Sequence, residues 1–210
     1  MIRVIIADDH TIFREGIKEI LSKTSDIVIE AEAENGAELL SKLSTDICDV
    51  VLLDINMPGR RGLEILKDIK TLHPDLPVLM LSMYPEKRYA IRAIKSKASG
   101  YLTKESASYE LINAIKKVHK GGKYISASLA EELASYIGKE SEKPLHDFLS
   151  EREFEVMLKL AAGKKIKDIA DEMFLGTTTV STYRSRVLGK LNLKTDADIV
   201  RYVLENGLAD

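Results

Sequence analysis

Short apolar runs alternate with longer amphipathic stretches along the first 120 or so residues. Residues 2–9 (IRVIIADD) are β-branched and apolar until they end in two carboxylates. From Thr11 to Lys23 the apolar residues Ile12, Phe13, Ile17, Ile20 and Leu21 recur at helical spacing. The alternation continues with a strand at 27–33, a helix at 37–44 and a wholly apolar strand at 49–54 that stops at Asp54. A helix at 62–72, a strand at 77–82, a helix at 89–97, a short strand at 100–104 and a helix at 108–120, stopped by Gly121 and Gly122, complete it. Near-continuous apolar strands separated by helices predict a parallel sheet covered on both faces.

Five such units in so short a span fit an α/β doubly wound, flavodoxin-like, five-stranded parallel sheet. After residue 123 the strand-like runs cease. Ser128 with Glu131 forms a capping-box pattern opening a helix at 128–137, and the polar stretch 138–147, with Gly138 and Pro144, reads as a linker. Ser150 with Glu153 opens another helix that Gly163 ends. Helices are predicted at 166–174, 177–191 and 195–206, with a tight turn before Thr177. The expected organisation is a first domain over 1–122, a linker with a helix over 123–147, and an all-α domain over 148–210.

Composition narrows the class. With 45% hydrophobic and 30% charged residues, the chain is expected to fold and remain in solution. No apolar run approaches the roughly 18 residues a membrane span needs, and MIRVIIADDH lacks the features of a secretory leader. The single cysteine, Cys48, permits no internal disulfide and reads as core filler; the cytoplasm is the expected compartment. Residues 1–123 balance at +1 and residues 124–210 at −3, together the −2 of the whole chain. Between Met173 and Thr195, however, no acid occurs, while Arg184, Arg186, Lys190 and Lys194 do. A basic segment inside an acidic domain suits a surface that meets phosphates.

In a doubly wound sheet, ligands sit beyond the carboxyl ends of the strands. Asp8 and Asp9 follow the first strand and Asp54 ends the third; these strands are neighbours in this topology, so three carboxylates converge. Such a cluster repels itself unless a cation intervenes, and oxygen ligands of this kind suit Mg²⁺. With the charge so neutralised, Asp54 is a candidate nucleophile forming an aspartyl phosphate. Ser82 and Lys104, at the ends of the fourth and fifth strands, supply a hydroxyl and a cation at the same rim. Any one of these five is more simply an ordinary loop residue, but all five at successive strand ends are poorly explained that way.

ADDH, LLDINMPGRRG, LSM and GYLTK resemble the receiver domain of bacterial response regulators across residues 1–120. The resemblance implies that Asp54 accepts a phosphoryl group from a sensor histidine kinase. It also implies that Asp8, Asp9, Asp54 and the backbone carbonyl of Asn56 serve Mg²⁺, with Asp8 acting partly through water. Ser82 would be the switch hydroxyl and Lys104 the phosphate-pairing cation. Tyr101 stands where the family has an aromatic that turns inward, though a plain packed aromatic explains it equally. Pro58 and Gly62 match the loop after the phosphorylated strand. His10 also matches, and is expected to be a solvent-exposed imidazole without a chemical role. Glu105 stands where many receivers have proline, so no cis peptide is expected there.

Residues 149–207 resemble the LuxR-type helix-turn-helix of the NarL/FixJ family, through Leu149–Glu153, Ile169-Ala170, Thr179-Val180, Lys190–Asn192 and Ala197–Tyr202. The recognition helix would bury Val180, Val187, Leu188 and Leu191 and present Thr178, Ser181, Thr182, Arg184, Ser185, Arg186 and Lys190 to double-stranded DNA. Arginine suits guanine edges, whereas Lys190 suits a phosphate. Lys164, Lys165 and Lys167 are further phosphate candidates. Gly176 stands where the family has a capping serine, and Ser181 where it often has a charge; base preference is what these departures touch. Two rival readings are a Mg²⁺-dependent phosphohydrolase using Asp54 and a regulator working by protein contact alone. Phosphorylation is expected to free the recognition helix and favour a homodimer on paired half-sites; of Val200, Val203 and Leu204 in the last helix, some must face the core and part is candidate dimer surface.

Overall fold

The computed structural model describes residues 1–84, 86–127, 129–131 and 144–209. The chain divides into two compact units, Met1–Glu132 and Leu133–Asp210. Of the helix expected over 128–137, only 129–131 are described, as helix; its capping residue Ser128 and its remainder lie outside the described residues, as do residues 138–143 of the expected linker. No described helix is long and apolar enough to cross a membrane.

In the first unit, strands β1 (Ile2–Ala7), β2 (Ile27–Ala33), β3 (Val50–Asp54), β4 (Val78–Ser82) and β5 (Gly100–Thr103) form one parallel sheet in the order β2-β1-β3-β4-β5. Helices α1 (Thr11–Ser22), α2 (Gly36–Leu43), α3 (Gly62–Leu72), α4 (Glu86–Lys95) and α5 (Lys104–His119) connect and follow them. Val4, Ile6, Leu52, Leu79, Leu81 and Leu102 form one continuous core with Ile17 and Leu21 of α1 and Leu111, Ile115 and Val118 of α5. Ile5, Val51, Leu53, Met80 and Tyr101, of the opposite parity, are equally buried, so both faces of the sheet are covered.

The register sets up the functional edge. Ala7 pairs with Leu53, Asp54 with Leu81, and Ser82 with Thr103. The residues at the strand ends, Asp8, Asp54, Ser82 and Lys104, therefore lie along one rim. Local signals fix where the helices start there. Asn35 accepts from Glu38 N–H at the head of α2, and Thr103 accepts from Ser106 N–H at the head of α5. That second cap makes Lys104 the first residue of α5, four residues before the start expected from periodicity, rather than the last of a strand.

Two expectations about α1 need correction. Ile12 is 90% exposed, while Arg14 is buried. At about 100° per residue, Ile12 stands about 140° around the helix from Ile17, off the core-facing stripe. Arg14 lies on that stripe, and its charge is met on all sides. Nη1 donates to the Asp8 carbonyl at 2.6 Å, Nε to Glu32 at 3.1 Å and Nη2 to Glu34 at 2.7 Å.

Beyond α5 the chain turns at Gly121 (φ 82°) and runs back along β5. Tyr124 N–H donates to the Ser99 carbonyl and Tyr101 N–H to the Tyr124 carbonyl, a parallel bridge beside Gly100. A side chain at Gly100 would meet Tyr124 O at 2.5 Å, so the strand accepts this neighbour only because the residue there is glycine.

The second unit is helical: a 3-10 turn (Leu145–Phe148), α6 (Glu151–Ala161), α7 (Ile166–Met173), α8 (Thr177–Lys190) and α9 (Asp196–Glu205). The Ser150–Glu153 capping box forms as its spacing predicts, and Thr195 with Asp198 makes a second one on α9. Phe154, Met157, Ile169, Met173, Val180, Val187, Leu191, Ile199 and Val203 are buried, Leu188 is half-buried, and α6 packs on α8 and α9. Val203 thus belongs to the core rather than to an exposed face, and Val200 is half-buried; Leu204 is the exposed member of that trio.

Gly62 illustrates how closely the backbone folds over the rim. A Cβ there would sit 2.1 Å from the Asp54 carbonyl oxygen and 2.8 Å from Ile55 Cα, both backbone atoms that cannot swing away. Gly62→Ala is expected to lower unfolding free energy by about 1–3 kcal/mol, the usual cost of overpacking. Gly16→Ala, with open space around it in exposed α1, should be neutral or stabilising by up to about 1 kcal/mol. Urea unfolding of the two variants beside the parent checks both signs.

Candidate functional site

Asp8 leaves the end of β1 with its carboxylate fully buried, and Asp54 at the end of β3 is 1% exposed. Lys104, buried at the head of α5, places Nζ 2.6 Å from Asp8 Oδ2 and 3.2 Å from Asp54 Oδ2. Its ammonium also lies 4.5 Å from the centre of the Phe13 ring, which closes the α1 side of the pair. Asp8 Oδ2 and Asp54 Oδ2, both buried, thus share this one ammonium as their counter-charge. One ammonium faces two carboxylates, and further acid comes from Asp9, more open to solvent.

Burial pushes the Asp54 carboxyl up to about 6; Lys104 pulls it down, Asp8 pushes it up, and the Asn56 N–H that donates to it pulls it down. Asp8, Asp9, His10 and Asp54 each present a ligand atom, all within 4.8 Å of one another. Three carboxylates gathered around a single ammonium carry surplus negative charge, and such an oxygen-rich set fits a divalent cation. Asn56 sits in the loop directly after Asp54, where its side-chain oxygen accepts from Arg61.

Ser82 and Tyr101, from adjacent strands, meet on one residue of the β4–α4 turn. Tyr84 N–H donates to Ser82 Oγ at 3.0 Å, and the Tyr101 hydroxyl donates to the Tyr84 carbonyl at 3.1 Å. Both side chains are fully buried. The inward rotamer of Tyr101 and the position of the Ser82 hydroxyl are therefore tied to the same turn.

His10, expected to be without a role, is part of the cluster. Its Nδ1 lies 2.9 Å from Asp9 Oδ1 and 3.1 Å from Asp8 Oδ1, and its backbone N–H donates to Asp8 Oδ1 at 2.8 Å. Arg14 is the other residue that sequence reasoning missed, since its bond to the Asp8 carbonyl braces the turn carrying the first two acids. The signal for both was adjacency to ADDH, with a charged residue on an apolar helix stripe in the case of Arg14.

In the second unit, α7, the turn at Phe174 (φ 54°) and α8 make the helix-turn-helix. Thr178, Thr182, Ser185 and Arg186 are exposed, and Ser181 and Arg184 half-buried. Thr182, Ser181 and Ser185 donate to carbonyls four residues back, which uses their protons and leaves each oxygen able to accept. No side chain caps α8 at Gly176. Arg184 Nε is engaged by Asp196 at 2.7 Å. Lys190, expected at a phosphate, instead pairs at 2.6 Å with the buried Glu153 and donates to the Phe148 carbonyl, which makes it a tie between α8 and the start of α6. Lys164 likewise pairs with Glu172. Lys165, Lys167, Arg186 and Lys194 have no ion pair among the described residues.

Residues 4–116 match the response regulator receiver domain, and residues 147–203 match the bacterial regulatory proteins of the luxR family. The response regulator UvrY of Escherichia coli K12 is 34% identical over 211 residues, covering 100% of this chain and 97% of UvrY. The response regulator GacA of Pseudomonas aeruginosa is 34% identical over 213 residues, covering 100% of this chain and 99% of GacA. Among solved structures, the RcsB response regulator of Salmonella typhimurium is similar at 25% identity and a TM-score of 0.71, covering 98% of each chain. RcsB bound to promoter P1flhDC in the presence of the phosphomimetic BeF3⁻ is similar at 26% identity and a TM-score of 0.68, over 97% of this chain and 98% of that one.

A sheet whose strand ends gather acids and a lysine, followed by a helix-turn-helix, defines a transcription regulator built from a receiver and a DNA-binding domain rather than an enzyme. The chain belongs to the NarL/FixJ family of response regulators.

The raised Asp54 carboxyl has a measurable consequence for the metal-free protein. A carboxyl held above its unfolded value favours the folded state fully only at low pH, and that advantage is lost as pH rises through about 6. Asp54→Asn, which cannot ionise, should therefore unfold at higher urea than the parent in chelator at pH 8, by an order of 1–3 kcal/mol, with the gap roughly halved at pH 5. Equal midpoints at pH 8 would contradict this electrostatic account.

Proposed function

We propose that this protein is charged at Asp54 by a sensor histidine kinase and that the charged form binds its DNA sites as a homodimer. The observation that carries the reading is the pair of buried carboxylates, Asp8 and Asp54, on a single buried ammonium. An Asp54 oxygen would attack phosphorus, the bond from phosphorus to the kinase's imidazole nitrogen would break, and the electron pair would leave with the imidazole.

Asp8, Asp9, Asp54 and the carbonyl of Asn56 would hold Mg²⁺, whose chemistry when bound is to neutralise charge around the incoming phosphoryl. Lys104 is placed to exchange its contact with Asp54 for one with a phosphoryl oxygen. Ser82 would give up the Tyr84 N–H and turn its hydroxyl to the same group, which releases the turn that Tyr101 also holds. Phosphorylation would replace a carboxylate of one negative charge by an acyl phosphate of about two, a net gain of about one at a site already rich in acid. The resulting rearrangement is the physical event that a regulated DNA reader needs.

For DNA, the exposed face of α8 supports base contact through Thr178, Ser181, Thr182 and Ser185, with Arg186 free to reach a base or a phosphate. Arg184 would have to exchange Asp196 for DNA, and Lys190 serves the reader's own fold. The uncapped N–H groups at the start of α8 and the unpaired Lys165 and Lys167 support phosphate contacts. The similarity to RcsB bound to a promoter supports the same placement of this face.

Incubation with acetyl phosphate and Mg²⁺ is expected to label Asp54 stoichiometrically and to tighten binding to a footprinted operator at least about tenfold, or about 1.4 kcal/mol. Asp54→Asn should take no label and gain no affinity. Multiple turnover of small phosphoesters, or equal operator binding with and without label, would defeat the reading. Arg186→Ala should weaken operator binding, and if its contact is to phosphate the slope of log K against log salt should fall by about one. Lys190→Ala should instead lower unfolding free energy, measured in urea without DNA.

A further inference from the structure

The turn between α7 and α8 carries a large apolar side chain that the fold leaves in solvent. Phe174 is 77% exposed. Its backbone is left-handed, at φ 54° and ψ 45°, a conformation that glycine and asparagine take easily and bulky residues rarely adopt. Closing the end of α7 does not call for an aromatic there. Phe174 N–H donates to the Asp171 carbonyl at 3.2 Å and Leu175 N–H to the Ala170 carbonyl at 2.9 Å, backbone bonds that do not depend on the ring. The apolar plug of the turn is Leu175, which is half-buried. Phe174 thus combines an unfavourable backbone with an unfavourable exposure, and an asparagine would suit both better.

The position of the ring indicates what covers it. The N-terminal end of a recognition helix is the end that enters the major groove. Phe174 is two residues before Gly176, the N-cap of α8, so the two Cα atoms are at most about 7.6 Å apart. That end of the reader carries no charged side chain: no acidic or basic residue occurs from Met173 to Tyr183. Thr177, Thr178 and Thr179 are exposed there and bring methyl groups as well as hydroxyls. Such a surface lacks the cation that pairs with a guanine edge, and it has no acid to repel the phosphates on either side. Phenylalanine and threonine methyls meet instead the C5-methyl of thymine, the apolar group that base pairs present in the major groove. A protein surface is the rival occupant of an exposed ring; the place of this one, at the groove-entering end of α8, favours DNA.

We propose that Phe174 reads a base: its ring packs on a thymine methyl at the leading end of α8, so that the operator half-site selects thymine at that step. The inference rests on the reading of α8 as the DNA reader and deepens it by naming the base and the group that is read.

The test uses the full chain treated with acetyl phosphate and Mg²⁺, and duplexes that it selects from a random pool. Each thymine of the selected half-site is replaced in turn by deoxyuridine, which removes the methyl and keeps the base pair. For the parent, one such replacement is expected to weaken binding about fourfold, the worth of burying a single methyl. Phe174→Asn should bind the thymine duplex about fourfold more weakly than the parent does and should not distinguish thymine from deoxyuridine at that step. Because the contact is apolar, the slope of log K against log salt should stay the same. Asparagine relieves the left-handed backbone, so the urea midpoint of this variant without DNA should equal or exceed that of the parent.

A variant that binds and discriminates as the parent does overturns the inference. So does a loss of affinity with a shallower salt slope, which marks a phosphate contact. Unchanged operator binding with a fall in transcription from the same duplex puts the ring on a protein partner and overturns it too. A urea midpoint well below that of the parent shows a packing role and counts against it. If the parent selects no duplex at all, the underlying reading of α8 fails instead.

Discussion

A buried ammonium between two buried carboxylates governs the receiver half of this molecule. Lys104 lies against Asp8 and Asp54 where solvent does not screen the charges, and its one ammonium faces an oxygen of each. Isolated charges at such depth are too costly to keep, so the three groups must be brought together by the fold, and the fold is built to do so. The parallel register sets β1 and β3 side by side with their ends level. The Thr103 cap starts α5 at the lysine itself, and Phe13 lays its ring 4.5 Å from the ammonium. The arrangement still carries surplus acid, which a bound cation would relieve.

Much of this was readable from the chain. The five strands, their order and the positions of Asp8, Asp54, Ser82 and Lys104 at strand ends follow from apolar runs and the rules of doubly wound sheets. The helices of the second unit follow from capping boxes at Ser150 and from the burial pattern around Val180 and Val187. The features that escaped were tertiary pairings. Nothing in periodicity distinguishes Lys190, tied to a buried Glu153 from 37 residues away, from a lysine free to meet phosphate. Nor does it mark Arg14 as a buried residue, because the acids that accept it lie on β2 and just beyond. His10 is the solvent-exposed imidazole that its loop position predicts, and its contacts with Asp8 and Asp9 follow from its place directly after them in the chain.

The two halves use charge in opposite ways. In the receiver the ionisable groups are concentrated, buried and under-compensated, and the chemistry follows from that. In the DNA reader several charges are already matched: the buried Glu153 with Lys190, and at the surface Glu172 with Lys159 and Lys164 and Asp196 with Arg184. What remains on α8 for a ligand is a row of hydroxyls and Arg186.

The segment that leaves α5 has a consequence for how the first half stands alone. β5 is the last strand of the sheet, and its outer hydrogen-bonding edge is occupied by Tyr124, laced to Ser99 and Tyr101. An uncovered edge strand is a template for pairing with other chains. A fragment cut at Gly122 would bare that edge and invite self-association between sheets, whereas one carried through Tyr124 and the buried Leu129 keeps its flank sealed. The few residues that read as mere connection in the sequence are, in the folded chain, a sixth, one-residue row that stops the sheet from growing.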